Sequence, residues 1–153
     1  MPKRKPARRR SASRTSATTP TPPPLPRHLA RALSTLADDL VNPYSESSDD
    51  EFRPFSAPLD PDRTFDEAAL RAGLRVSDRY RLETREMDPG VFDEWGDPYD
   101  SSYALLYKVM STTLTDLQVV WARAPGVVRV RCWFLGRLSA DWLVGLRTMS
   151  TET

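Results

Sequence analysis

The run Ser150-Thr151-Glu152-Thr153 is the part of this chain best suited to meet a hard cation. It offers hydroxyls, one side-chain carboxylate and the α-carboxylate of Thr153, the oxygen donors that divalent ions such as Mg²⁺ prefer. Two readings stay open for it: a solvated tail, as most termini are, or a donor set held at a fixed point by the strand before it. A second candidate is the segment 44–51, which gathers Glu46, Asp49, Asp50 and Glu51 among serines. It reads either as a solvated acidic loop with kinase-acceptor serines or as a surface for a basic partner. In the second case Glu46 is the charge-assisted partner of an arginine, and Asp49 and Asp50 steer association. A third is Trp95, ringed by Asp93, Glu94, Asp97 and Asp100. It is an exposed anchor of the kind enriched at interface hot spots, or a core tryptophan beside a solvated acidic loop.

Catalytic chemistry is harder to place. His28 is the only histidine and Cys132 the only cysteine, so no His pair forms, and Cys132, flanked by Arg131 and Trp133 on a strand, reads as a buried structural thiol. No intrachain disulfide is possible, which fits a reducing compartment. Ligand spacing of the EF-hand kind and a Gly-rich phosphate loop are both missing from the sequence. The expectation is a binding protein, not an enzyme, and one without a cofactor.

The elements that must position these residues are legible from periodicity. Leu29, Leu33, Leu36 and Leu40 form one apolar stripe and predict a helix over 28–41, ended by Asn42-Pro43. Residues 52–58 predict an edge strand, because Pro54 cannot donate to a ladder. A short helix over 65–74, stopped at Gly73, and a strand over 80–87 follow with weaker patterns. Asp100-Ser101-Ser102 would cap a second long helix, in which Leu105, Leu106, Val109, Met110, Thr113 and Leu114 should face a sheet. Residues 117–122 read as a strand, and Ala124-Pro125-Gly126 turns the chain. Val128, Val130, Cys132 and Phe134 then alternate with Arg129, Arg131 and Trp133, the pattern of a strand with one buried face. Gly136 and Ser139-Ala140-Asp141 supply turn chemistry before a returning strand over 142–149. Layer logic makes this an α+β fold, a sandwich of helices on a mainly antiparallel sheet.

Charge divides the chain. Residues 1–36 hold nine Lys/Arg and no acid, whereas 37–153 hold 13 Lys/Arg and all 21 acids, a net of −8. Proline, serine, threonine and arginine dominate residues 1–28, which are expected to be a disordered basic arm ahead of a domain over 29–153. Pro2-Lys3-Arg4-Lys5 and Arg8-Arg9-Arg10 suit a nuclear-localisation signal or a nucleic-acid contact. A mitochondrial transit peptide is the rival, opposed by the proline density and the missing apolar face. No apolar run approaches a membrane span.

The Ser45-Glu46-Ser47 segment, Phe52 and Phe55 just after it, Asp93-Glu94-Trp95, the helical 103–114 and the strand-turn-strand over 117–153 ending on Glu152-Thr153 together resemble the nuclease A inhibitor (NuiA-like) family. The resemblance spans residues 33–153 and is strongest over the last 40 or so. It implies an α/β/α-type sandwich of the NuiA-like or PR-1-like kind. It also implies inhibition of a sugar-non-specific, divalent-metal-dependent nuclease of the ββα-metal, endonuclease-G-like type. Inhibitors of this family pair the glutamate matching Glu46 with a nuclease arginine. Their terminal threonine reaches the catalytic metal, which assigns that task to Thr153 with Glu152 beside it, and Trp95 joins them as a nuclease contact. The metal belongs to the partner, and the inhibitor alone is expected to be a monomer. The other expectation, from a different class, is a nuclear interaction module whose arm binds nucleic acid while the acidic domain recruits a protein.

Overall fold

The computed structural model describes residues 24–47, 49–88 and 102–152. The expected arm falls mostly in 1–23, and Trp95 with its carboxylates, Asp100-Ser101 and Thr153 also lie outside the described residues. Among the described residues, three helices and five strands run in the order α1 (Pro24–Leu36), β1 (Arg53–Pro58), α2 (Glu67–Leu74), β2 (Arg81–Glu86), α3 (Ser102–Thr113), β3 (Thr115–Arg123), β4 (Arg129–Leu138) and β5 (Trp142–Thr151). The strands form one antiparallel sheet in the order β1-β5-β4-β3-β2. The α+β sandwich expected from the sequence is therefore present, with helices on both faces.

α1 and α3 cover one face. Leu33, Leu106 and Met110 pack there on Val130, Cys132, Phe134, Val144 and Leu146. α2 covers part of the other, where Leu70 and Leu74 meet Trp133, Leu135 and Leu143. This layering corrects the expectation of a one-faced strand: Trp133 and Leu135 in β4 are as buried as Cys132 and Phe134. Strands covered on both sides lose the polar half of their alternation. Val128 precedes β4 and is 48% exposed.

Several boundaries moved for identifiable reasons. α1 starts at Pro24, because proline with its fixed φ suits a first helical turn. It ends at Leu36, earlier than Asn42-Pro43, and the chain continues in turns closed by Asp38 N–H to Thr35 O and Leu40 N–H to Ala37 O. Asp38 and Asp39 would sit unfavourably at the negative end of a longer helix. α2 is capped by Asp66, whose carboxylate accepts from Ala69 N–H at 2.9 Å. Its expected stop, Gly73, is not the stop. A Cβ there would come within 2.9 Å of Leu143 Cδ1, so the glycine allows helix and sheet to approach, and Arg75 supplies the left-handed cap at φ 57°. Gly136 likewise lies inside β4, opposite Val144, and the turn belongs to Ser139-Ala140-Asp141 alone. Of the predicted face only Leu106 and Met110 in α3, and Leu114 just after it, are buried; Leu105 is 48% exposed. Pro54 sits in β1, an edge strand paired with β5 alone. Among the described residues no helix is long and apolar enough to cross a membrane.

Candidate functional site

The acidic segment and the end of β5 are stitched together into one piece. Asn42 is 1% exposed. Its side-chain amide donates to Met149 O at 3.0 Å, its Oδ1 accepts from Tyr44 N–H at 3.0 Å, and its backbone N–H donates to Asp50 O at 3.0 Å. Tyr103 of α3 fixes the preceding residue by donating its hydroxyl to Val41 O at 2.8 Å. Val41 and Glu51 close the base of the loop as an isolated antiparallel bridge.

From this base the chain runs alongside β5. Thr151 N–H donates to Ser45 Oγ at 2.8 Å, and Glu46 N–H donates to Thr151 O at 2.9 Å. Ser47 N–H reaches the same Ser45 Oγ at 3.1 Å. Ser45 in turn donates its hydroxyl to Asp50 Oδ2, which also accepts from Thr151 Oγ1 at 2.9 Å. Arg129 Nη2 donates to Asp50 Oδ1 at 2.7 Å, and Thr148 Oγ1 to Asp50 O at 3.2 Å.

Asp50 is thus a hub and not a surface charge. At 2% exposure burial pushes its carboxyl pKa up, but the hydrogen bonds from Ser45, Thr151 and Arg129 outweigh this and hold it below the usual carboxylate range. Its expected part in steering a partner is corrected: a carboxylate facing inward has little field to offer solvent. Glu46, Asp49 and Glu51 are the exposed acids of the segment.

The terminal residues are equally engaged. Ser150 is fully buried and donates to Glu152 Oε2 at 2.8 Å. Arg123 clasps Glu152 Oε1 with Nη1 and holds Glu83 of β2 through Nε at 2.7 Å. The Arg123 bond chiefly, against burial, holds the Glu152 carboxyl low, and the same bond raises Arg123 further. Glu152 N–H donates to Val128 O at 2.9 Å, so backbone pairing persists one residue beyond β5. Residues 150–152 are therefore anchored, and the solvated-tail alternative does not hold for them. Glu152 Oε1 thus accepts from Arg123 and Oε2 from Ser150, so its carboxylate helps to anchor the end of β5.

Glu46 is brought to the end of β5, while Trp95 and Thr153 lie outside the described residues. His28 is exposed on α1. Cys132 is fully buried, and burial pushes its thiol pKa far up, as suits a structural thiol. No group of three or more His, Cys, Asp or Glu is placed to hold a metal among the described residues. The anchoring roles of Ser45, Asp50 and Arg123 went unread in the sequence. Nothing in a run such as Ser-Ser-Asp-Asp-Glu tells which carboxylate turns inward. No protein-family model matches this chain, and no curated protein matches it.

Proposed function

We propose that the chain inhibits a sugar-non-specific, divalent-metal-dependent nuclease of the ββα-metal, endonuclease-G-like type, by seating an acidic surface and Thr153 in the nuclease cleft. The observation that carries the reading is the pair of hydrogen bonds between Ser45-Glu46 and Thr151. Glu46 and the terminal residues, far apart in sequence, are the two regions to which the family resemblance assigns nuclease binding, and they lie side by side. A pre-anchored segment presents its groups with little ordering cost, which favours tight association. The acidic domain is complementary to a cleft built to bind polyanions through basic residues and a metal. An oxygen of Thr153 reaching that metal takes the place of the activated water or substrate oxygen such sites require. The inhibitor acts as a monomer without a cofactor and works in the nucleus or cytoplasm, with mitochondria as the other destination for the arm.

The test is an inhibition assay of a ββα-metal nuclease with the full chain, the Glu46→Ala variant and a chain lacking Thr153. Loss of inhibition in both variants supports the reading; no inhibition by the full chain at micromolar concentration sinks it. The nine basic residues of 1–36 favour the second reading, a nuclear module contacting nucleic acid. Steeply salt-dependent nucleic-acid binding without nuclease inhibition would decide for it.

A further inference from the structure

On the sheet face that carries α2, the helix covers only part of the strands. Beyond Leu74 a cavity of about 440 Å³ remains, walled by Phe55 and Met149 and floored by Trp133. Four arginines line it, from three adjacent strands: Arg53 of β1, Arg129 and Arg131 of β4 and Arg147 of β5. Their placement is costly for the sheet. Arg53 and Arg147 are direct cross-strand partners, and like charges directly opposite each other destabilise an antiparallel pair.

Asp49, Asp50 and Glu51 share the lining along one side, and they neutralise only part of that charge. Arg129 is held by Asp50, and Arg53 approaches Glu51 at 3.9 Å between exposed side chains, a contact worth little in solvent. Neither Arg131 nor Arg147 has an ion-pair partner among the described residues. Arg131 is fixed by stacking: its guanidinium carbon lies 5.1 Å from the Tyr80 ring centroid and 5.6 Å from that of Trp133. Stacking occupies the face of the guanidinium and leaves its N–H edge to fork onto an anion.

We propose that this basin is a binding site for an organic diphosphate, a molecule of the size and chemistry of a nucleoside diphosphate. Arg147 and Arg131 hold the phosphates bidentately, Arg53 adds charge at the rim, and the apolar wall of Phe55, Leu74 and Met149 takes the body of the ligand. Fork-to-phosphate pairing is the strongest use of arginine. The volume falls in the range of small-ligand sites and exceeds what a bare phosphate fills. The site stands independently of the nuclease reading, since none of its unpaired arginines belongs to the Glu46 and Thr151 surface.

The experiment is calorimetric titration of the full chain at low salt with ADP, pyrophosphate and adenosine, repeated on Arg147→Gln and Arg131→Gln. Saturable one-to-one binding of ADP is expected, weaker binding of pyrophosphate, none of adenosine, and a loss of about tenfold or more in affinity for ADP in each variant. Arg147 is exposed, and circular dichroism checks that its variant folds; should it not, Arg147→Lys must still bind more weakly than the native chain. ADP affinity unchanged in both variants would mean that the basic arm is binding, and the proposal fails. Pyrophosphate binding as tightly as ADP removes the role of the apolar wall and overturns the ligand class. A single-stranded oligonucleotide that displaces ADP and binds far more tightly, with the same loss in both variants, overturns the small-molecule assignment in favour of a nucleic-acid strand.

Discussion

Ser45 Oγ accepts the Thr151 N–H at 2.8 Å while donating its own proton to Asp50. One hydroxyl therefore joins the acidic segment, the final strand and the buried carboxylate between them, and each link can be broken separately.

Replacing Asp50 should destabilise the fold far more than replacing its neighbour. Asp50→Ala strands the donors of Ser45 and Thr151 around a buried gap, and a loss of about 3 kcal/mol is expected for a charge-assisted network of this kind. Asp49→Ala, at an exposed position, should stay within about 0.5 kcal/mol. Chemical denaturation of the two variants checks this, and equal midpoints would remove Asp50 from the hub.

Stability should fall in acid, and Asp50 and Glu152 should carry much of the fall. Both carboxyls are held below their ordinary range. Their contribution is therefore complete above the unfolded values, about 3.9 for Asp and 4.3 for Glu. It is lost as pH drops through the lower folded values, where the native state must take up protons. An Asp50→Asn variant should show a shallower slope of unfolding free energy below about pH 4. A slope identical to that of the native chain would contradict the assignment.

Arg123 should govern how firmly the last residues are held. Arg123→Ala releases Glu152 and Glu83 together. Amide exchange at Glu152, whose N–H is bonded to Val128 O, should then speed up, while exchange at Phe134 in mid-sheet stays slow. If exchange at Glu152 is unchanged, backbone pairing alone fixes the segment.

Glu46→Ala separates binding from folding. The backbone bond from Glu46 N–H to Thr151 O survives the substitution, so the loop should keep its place. Association with a target nuclease should weaken by about 2–5 kcal/mol, in part because an arginine on the partner is left unpaired. Surface-plasmon kinetics would show the loss mainly in the dissociation rate. An unaltered rate leaves Glu46 as one diffuse charge among several.

Cys132 should resist thiol reagents in the native state and react fully in denaturant, because burial opposes formation of the thiolate. Rapid labelling of the folded chain would mean that the core opens around β4.

The architecture was legible because its signals were local and repeated. The stripe of Leu29, Leu33 and Leu36, the run over 129–134 and Pro54 at an edge each announced an element, and the structure places helix, strand and edge there, although the alternation misled in giving β4 only one buried face. Glycine misled twice, at Gly73 and Gly136, since a missing Cβ serves close packing as readily as it serves a turn. The site was harder to read. Glu46 stood out as an acid, but the inward turn of Asp50 depends on Asn42, Thr148 and Arg129, partners up to 98 residues away. The arginine basin was invisible for the same reason: Arg53, Arg129, Arg131 and Arg147 are scattered in the sequence and meet only through strand register.

The strand order has a bearing on how the chain acquires its shape during synthesis. Among the described strands β1 emerges first, yet its neighbour in the sheet is β5, which emerges last of them. Until β5 arrives, β1 has no ladder to join and its backbone edge is open to other chains. Pairings between such distant segments are slow to form, and a waiting edge invites aggregation. Pro54 leaves that edge one donor short. Arg53 puts a charge at its first position, so the same arginine that lines the basin also guards the nascent strand while it waits.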